Sequence, residues 1–531
     1  MEISAQTWEF IRKHRNGDVR DLALHAHRDD AVDLTFALDQ IDGWQRARTK
    51  LPEWAAHDGV IYPPHISMEQ CSSQSTARYK AGVAARLVGT SAGSESVSAS
   101  MSHDGNASTI AEPATPPTAN ATSTTQTVDG EAATPRGTLV DLTGGFGVDF
   151  SYMARGFRRG VYVERQPHLC EIAEHNMHAL GLDHVTVVNG NAEEYLTELP
   201  DRVTGDTENG PAGNTMGKAA DGPTGDMADG SVNGSTNGTV NAPSGPTLIF
   251  LDPARRDTHG ARTYAIANCT PDVLALKDML LAKADWVMVK LSPMLDWRKT
   301  VADLGDCVRE VHIVSTGNEC KELLVVMSTR TLRESDDNAD NTTAEPHDNT
   351  SSDGSIRMVC VNDDDVLDYR IGTDGKVLES TDTTADGDTD DAENTISDAG
   401  NNADGNAEPA YLYEPNASIM KAGCFDLLER RYARYGLRQI GPNSHLFVSG
   451  SMIERFPGRA FEIDAVTGMG KKELRAALDG ITQANIAVRN FPMPVAALRK
   501  KLKLKDGGDA YIFATTTAKG RHVLMVTRKT R

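Results

Sequence analysis

From residue 137 onward the chain alternates short apolar runs with segments of helical spacing. The runs are TLVDL, GVYVE, VTVVN, TLIFLD, WVMVKLS, VHIVS and ELLVVMS. Between the second and third, Leu169, Ile172, Ala173, Met177 and Leu180 fall on one helical face, and residues 272–284 repeat that spacing between the fourth and fifth. Runs without polar alternation are strands covered on both sides. Strands separated by amphipathic helices build a parallel α/β sheet whose ligand sits at the carboxyl ends of the strands.

The flanking regions are patterned differently. In residues 1–89, Leu22, Leu24, Val32, Leu34, Phe36, Leu38 and Ile41 recur among charges, which predicts a helical N-terminal domain broken at KLPEW and IYPPHIS. Near the other end the pattern is α+β. YLYEPNASIMKAG leads to a helix through Leu427 and Leu428, then SHLFVS, a helix near 470–479, and a hairpin of AYIFATT against RHVLMVT turning at AKG.

Composition changes this picture in one respect. A net charge of −21 alone argues against a polyanionic partner, but the surplus is carried by the low-complexity stretches 201–246, 334–354 and 371–408, and the remainder is neutral overall. With a fourth stretch at 90–136, rich in Ser, Ala, Thr and Pro, these hold too little apolar surface to offset chain entropy. They read as disordered inserts, tolerated because loop closure costs grow slowly with length. Residues 481–531 carry eleven Lys or Arg against two Asp. The seven cysteines are scattered without a C-x-x-C pair, which predicts reduced thiols and no metal site. No apolar run reaches the length of a signal peptide or a membrane span, so a cytoplasmic protein is expected.

Two motifs carry chemistry. In LVDLTGGFGVDF a strand ends at Asp141, a turn holds Gly144, Gly145 and Gly147, and a helix starts at about Val148. Such a turn lets a backbone approach a nucleotide-like ligand, although a plain βα turn uses glycines too. Glu164 ends the next strand, where an acid accepts from ribose hydroxyls, and Asn191 ends the third strand region, where an amide could contact an adenine edge. A dinucleotide fingerprint needs a third glycine where Phe150 stands, and Asp149 places a carboxylate where a pyrophosphate would sit. A sulfonium ligand without phosphate suits the turn better. The second motif, LIFLDPARRD, runs a buried strand into Asp252 and Pro253, then Arg255 and Arg256. Proline stiffens the turn, the acid can accept a hydrogen bond from a target nitrogen, and the arginines suit a phosphate.

These residues resemble the class I S-adenosylmethionine-dependent methyltransferases, whose fourth strand ends in a D/N-P-P-Y/F/R type motif; DPAR at 252–255 is similar to it. More narrowly, the chain resembles a bacterial family of RNA methyltransferases with ferredoxin-like and THUMP-like C-terminal domains. The matching stretches are QIDGWQRARTKLPEW, IYPPHISMEQCSSQSTARYKA, DLTGGFGVDF, LDPARR, LSPMLDW, LYEPNASIMKAG and ANIAVRNFPMPVAALRKKLKLKDGGDAYIFAT. The resemblance implies a Rossmann-like methyltransferase sheet at 137–332, a ferredoxin-like domain at 355–452 and a THUMP-like RNA-binding domain at 456–531. It implies S-adenosylmethionine as cofactor, held by Asp141, Thr143, Gly145, Gly147, Glu164 and Asn191, with Asp252, Pro253 and Arg255 at the acceptor. Thr143 stands where glycine is commoner in this motif, and Asn191 where Asp is common.

Three weaker features remain. MEQCSSQSTARYKA offers Gln70, Ser72 or Lys80 as a lid over the cofactor, or simply a capped helix start near Ser75. VKLSPMLDW puts Lys290, Ser292 and Pro293 at the end of the fifth strand. Arg489, Arg499, Lys500, Lys501, Lys503 and Lys505, beside Asn490 and Phe491, form either an RNA surface or a solvated helix face. The expected activity is methylation of a base nitrogen in rRNA or tRNA, because no cysteine adjoins DPARR to attack a pyrimidine carbon. A protein or small-molecule methyltransferase of the same fold, and a non-catalytic RNA-binding protein, remain open alternatives.

Overall fold

The computed structural model describes residues 3–25, 30–63, 65–89, 135–202, 245–255, 266–329, 354–372, 374–378 and 409–530. The four low-complexity stretches lie largely outside the described residues, as does Arg256. The described residues divide into two units: 3–89, 135–251 and 275–287 in the first, 252–274 and 288–530 in the second.

The first unit opens with helices α1 (Ala5–His14), α2 (Val19–His25), α3 (Leu34–Lys50), α4 (Pro52–Ala56), α5 (His65–Gln70) and α6 (Gln74–Val88). Side-chain caps start three of them: Ser4 accepts from the Thr7 amide, Asp33 from Phe36 and Ser73, rather than Ser75, from Thr76. There follow β1 (Thr138–Asp141), α7 (Val148–Ala154), β2 (Arg159–Glu164), α8 (Pro167–Ala179), β3 (Val185–Asn189), α9 (Ala192–Glu198) and β4 (Thr247–Leu251). All pairings among these strands are parallel, in the order β4-β1-β2-β3. Asp141 is in register with Tyr162 on one side and Phe250 on the other, so β1, β2 and β4 finish nearly level.

The N-terminal helices share a core with this sheet's helices. Trp54, Val60, Ile61 and Met68 pack with Phe146, Val148, Tyr152 and Leu169, and Trp54 meets Phe146 edge-on at 4.9 Å. Asn176 of α8 seals the contact with its carboxamide, which accepts from the Ile61 amide and donates to the Ile61 carbonyl, both at 2.8 Å.

In the second unit, Val308–Thr316 and Glu319–Met327 form an antiparallel hairpin. The sequence reading places both in a parallel sheet. Only Gly317 and Asn318 connect them, both at positive φ, and a parallel crossover needs a dozen residues or more. Ile356–Asn362 runs parallel to Val308–Thr316 and antiparallel to Asp365–Ile371. Residues 356–371 therefore extend that hairpin's sheet.

Seven further strands form a sheet in the order 438–439, 447–449, 411–415, 458–467, 522–529, 510–516, 485–488. The expected hairpin is its 510–516 and 522–529 pair. Among the described residues, no helix is long and apolar enough to cross a membrane.

Candidate functional site

At the carboxyl end of β1 the Asp141 side chain, 2% exposed, turns back on its own loop. Its Oδ1 accepts from the Thr143 amide at 2.9 Å and the Thr143 hydroxyl at 3.3 Å. Glu164 at the end of β2 spreads its carboxylate across two backbone segments. Oε2 accepts from the Gly145 amide and Oε1 from the Gln166 amide, each at 2.9 Å. The Tyr162 hydroxyl donates to the Gly145 carbonyl at 2.5 Å. Burial pushes that phenol well above its ordinary pKa, with the Asp141 and Glu164 charges adding to it, so it stays a donor.

The three glycines answer different needs. A Cβ on Gly144 would lie 2.3 Å from the Tyr162 ring, and one on Gly147, at φ +84°, 2.8 Å from Met177 Cε. Protein packing alone accounts for these two. Gly145 has φ +58°, yet a Cβ there would meet nothing nearer than the Thr143 carbonyl at 3.7 Å. This is the position where the turn leaves backbone open beside a fixed carboxylate.

Asp149, in the first turn of α7, is almost wholly buried. The Ser72 hydroxyl donates to its Oδ2 at 2.8 Å, and the fully buried Lys80 Nζ lies 3.2 Å from Oδ1. Lys80 also donates to Ser72 at 3.3 Å. The Lys80 contact lacks the alignment of a hydrogen bond and acts as an ion pair. Two of the three candidate lid residues thus hold α6 to α7, while Gln70 is exposed. With Lys80 compensating it, Asp149 repels a phosphate less than its sequence position implies. The glycine spacing is the firmer argument against a dinucleotide.

Asn191 is exposed and caps α9, its Oδ1 accepting from the Glu193 amide at 2.7 Å. Asn189, the last residue of β3, donates its side-chain amide to the Glu164 carbonyl at 3.0 Å, a contact the sequence reading missed.

In the second unit, Asp252 is the residue that follows β4, with Pro253 buried behind it. Lys290 donates to Asp252 Oδ2 at 2.5 Å, its side chain 13% exposed against 42% for Asp252. This pairing joins two candidates that the sequence kept apart. The Arg255 backbone is in register with Cys269 in a two-residue antiparallel ladder. Cys269, fourteen residues later in the chain and 4% exposed, is therefore a neighbour of the motif, which proximity in sequence alone could not reveal. Ser292 accepts from the Met294 amide at 3.3 Å within its own turn.

The basic segment divides in two. Arg489 pairs with Glu414 at 2.7 Å. Arg499 donates to the Ala484 and Lys505 carbonyls and reaches Asp506 at 2.5 Å. Both arginines are structural. Lys500, Lys501, Lys503 and Lys505 are exposed, the first two in the last turn of the helix Val495–Leu502, where cations also complement the helix dipole. Among the described residues no group of three or more His, Cys, Asp or Glu could hold a metal.

Residues 411–457 match the ferredoxin-like domain family and residues 458–529 the THUMP domain-like family. The chain carries both domains. A crystal structure of a protein designated a methyltransferase from Porphyromonas gingivalis W83 superposes with a TM-score of 0.63, covering 100% of both chains at 24% identity. This establishes the α/β fold as the one that protein has. Weaker likenesses include an O-methyltransferase from Bacillus cereus in complex with SAH (10% identity, 60% of this chain and 99% of that one, TM-score 0.26). Another is an rRNA methylase from Streptococcus thermophilus (10%, 36% and 86%, 0.22). No curated protein sequence matches significantly.

Proposed function

We propose that this protein is an S-adenosylmethionine-dependent methyltransferase that methylates a base nitrogen in rRNA or tRNA. The observation that carries the reading is the Glu164 carboxylate, fixed between the Gly145 and Gln166 amides at the end of β2, beside the glycine of that turn whose outer side is open. Asp141, Thr143, Gly145 and Glu164 would hold the cofactor, with Glu164 accepting from its ribose hydroxyls and the open Gly145 backbone admitting it. Asn191, exposed and capping α9 through its oxygen, would meet an adenine edge with its amide nitrogen.

When bound, the cofactor supplies a methyl group on a sulfonium, and transfer is an in-line displacement governed by positioning. Asp252 would accept a hydrogen bond from the acceptor nitrogen. Lys290 orients that carboxylate, and buried Pro253 stiffens the turn. Arg255 would meet a substrate phosphate. The exposed Lys500, Lys501, Lys503 and Lys505 supply the counter-charge an RNA backbone needs. A carbon methylation would use a thiol that reaches a pyrimidine ring, and Cys269, although opposite Arg255, is buried. This favours nitrogen.

The test is transfer of tritium from methyl-labelled S-adenosylmethionine to separated tRNA and ribosomal RNA fractions from a strain lacking the gene. Label should enter one fraction, vanish with Asp252→Ala and persist with Cys269→Ala. No label in either fraction, with cofactor binding intact, would shift the assignment to a protein or small-molecule acceptor. Loss of label in Cys269→Ala together with a 5-methylpyrimidine product would overturn nitrogen methylation.

A further inference from the structure

We propose that the N-terminal helices hold a second RNA contact, a cleft that takes one unstacked nucleotide, which rests on the reading of RNA as substrate. The cleft has a volume of about 310 Å³ and is lined by Trp8, Arg12, Arg15, Trp44, His57 and Tyr62 among others. That is the size at which small-ligand sites begin.

Its walls are held from several directions. Gln40, itself buried, donates to the Tyr62 carbonyl at 3.0 Å and accepts from the Tyr62 amide at 2.7 Å. Gly43 of α3 lies so close that a Cβ there would be 2.4 Å from Tyr62 Cβ. On the other side, His175 bonds the Gly59 carbonyl at 2.7 Å and Asn176 holds both backbone groups of Ile61. The Trp44 indole is fixed by its Nε1–H donating to the Ala55 carbonyl at 3.0 Å.

Three features give the occupant its chemistry. The Arg15 guanidinium lies over the Trp44 ring, 4.7 Å from its centroid, and unstacked bases in RNA recognition lie on aromatic rings or arginine planes. Arg12 in the last turn of α1 and Arg15 at its C-cap bring positive charge to the rim, and of the lining residues the exposed Asp58, 4.0 Å from Arg15, opposes them. The Tyr62 hydroxyl is buried and has no hydrogen-bond partner among the described residues. A planar ring bearing hydrogen-bonding edges and a phosphate answers all three, whereas an acidic peptide answers only the arginines.

The full chain labelled with 5-fluorotryptophan gives one fluorine signal for each of its five tryptophans, assigned by single Trp→Phe variants. A single-stranded RNA dodecamer, uridine monophosphate and poly-glutamate are titrated in turn, with filter binding of the RNA and calorimetry of S-adenosylmethionine in parallel. The RNA should shift the Trp8 and Trp44 signals. In Arg12→Ala/Arg15→Ala the shifts should vanish and RNA affinity fall about tenfold, with cofactor affinity unchanged. RNA bound without movement of Trp8 or Trp44 would overturn the cleft and leave the RNA reading standing. No RNA binding by the parent chain would overturn both. A shift by the mononucleotide alone would make this a small-nucleotide site, and an equal shift by poly-glutamate would make it a protein-docking site.

Discussion

Replacing Lys80 by methionine keeps most of the side-chain volume and removes its charge. Lys80 is fully buried, so Asp149 would lose its cation where water cannot take over. Breaking a buried pair by removing one partner costs about 3–5 kcal/mol. The Ser72 hydrogen bond at 2.8 Å remains on Oδ2, which points to the lower end, about 3 kcal/mol. With a urea m-value of about 3 kcal/mol per molar, the midpoint would fall by about 1 M. The double variant Lys80→Met/Asp149→Leu removes both charges and should recover to within about 1 kcal/mol of the parent, because apolar replacement of a buried pair is often neutral. The assay is urea unfolding followed by circular dichroism on the parent, Lys80→Met, Asp149→Leu and the double variant. A single variant within about 0.5 kcal/mol of the parent, or a double variant as unstable as the sum of its singles, would refute a compensated buried charge at this junction.

The glycine turn predicts a split between stability and binding. Gly144→Ala should destabilise by about 1–3 kcal/mol through the Tyr162 clash. Gly145→Ala should cost about 1–2 kcal/mol for its left-handed backbone and weaken S-adenosylmethionine more than Gly144→Ala does, read by calorimetry against melting temperature. Glu53 predicts a pH dependence. Burial opposes its ionisation, but hydrogen bonds from Arg155 and Arg78 outweigh it and lower the carboxyl below its ordinary value of 4.5. A depressed folded-state pKa contributes stability above the unfolded value that is lost as pH falls through the folded one. The gap in melting temperature between parent and Glu53→Gln should therefore close as pH falls from about 5 to about 3. The corresponding difference in stability should stay below about 1 kcal/mol throughout, since these surface pairs are screened by solvent.

The strands were legible because burial on both faces leaves no polar alternation in TLIFLD or WVMVKLS. The glycine turn was legible because it needs a residue type that little else tolerates. Pairing between distant segments was not. Nothing local says that Lys80 meets Asp149 or that Lys290 meets Asp252, and the runs at 356–371 read equally well as part of either sheet. Asn191 carried a usable signal that was passed over: an Asn before Ala-Glu-Glu is a helix N-cap in its own right. The basic segment misled by count. Arg489 and Arg499 are spent on Glu414, Asp506 and backbone carbonyls, and only the structure separates them from the exposed lysines.

Glu414 bears on how such a chain can be inherited. The two family matches meet between residues 457 and 458, yet Tyr411–Pro415 in one is hydrogen-bonded along Gly458–Glu462 in the other. Glu414 belongs to the first and takes both its arginines, Arg459 and Arg489, from the second. A recombination breakpoint at that seam would strip a buried carboxylate of its cations and bare two strand edges ready to pair with foreign chains. A chain that kept either half alone would therefore need to rebuild that edge first.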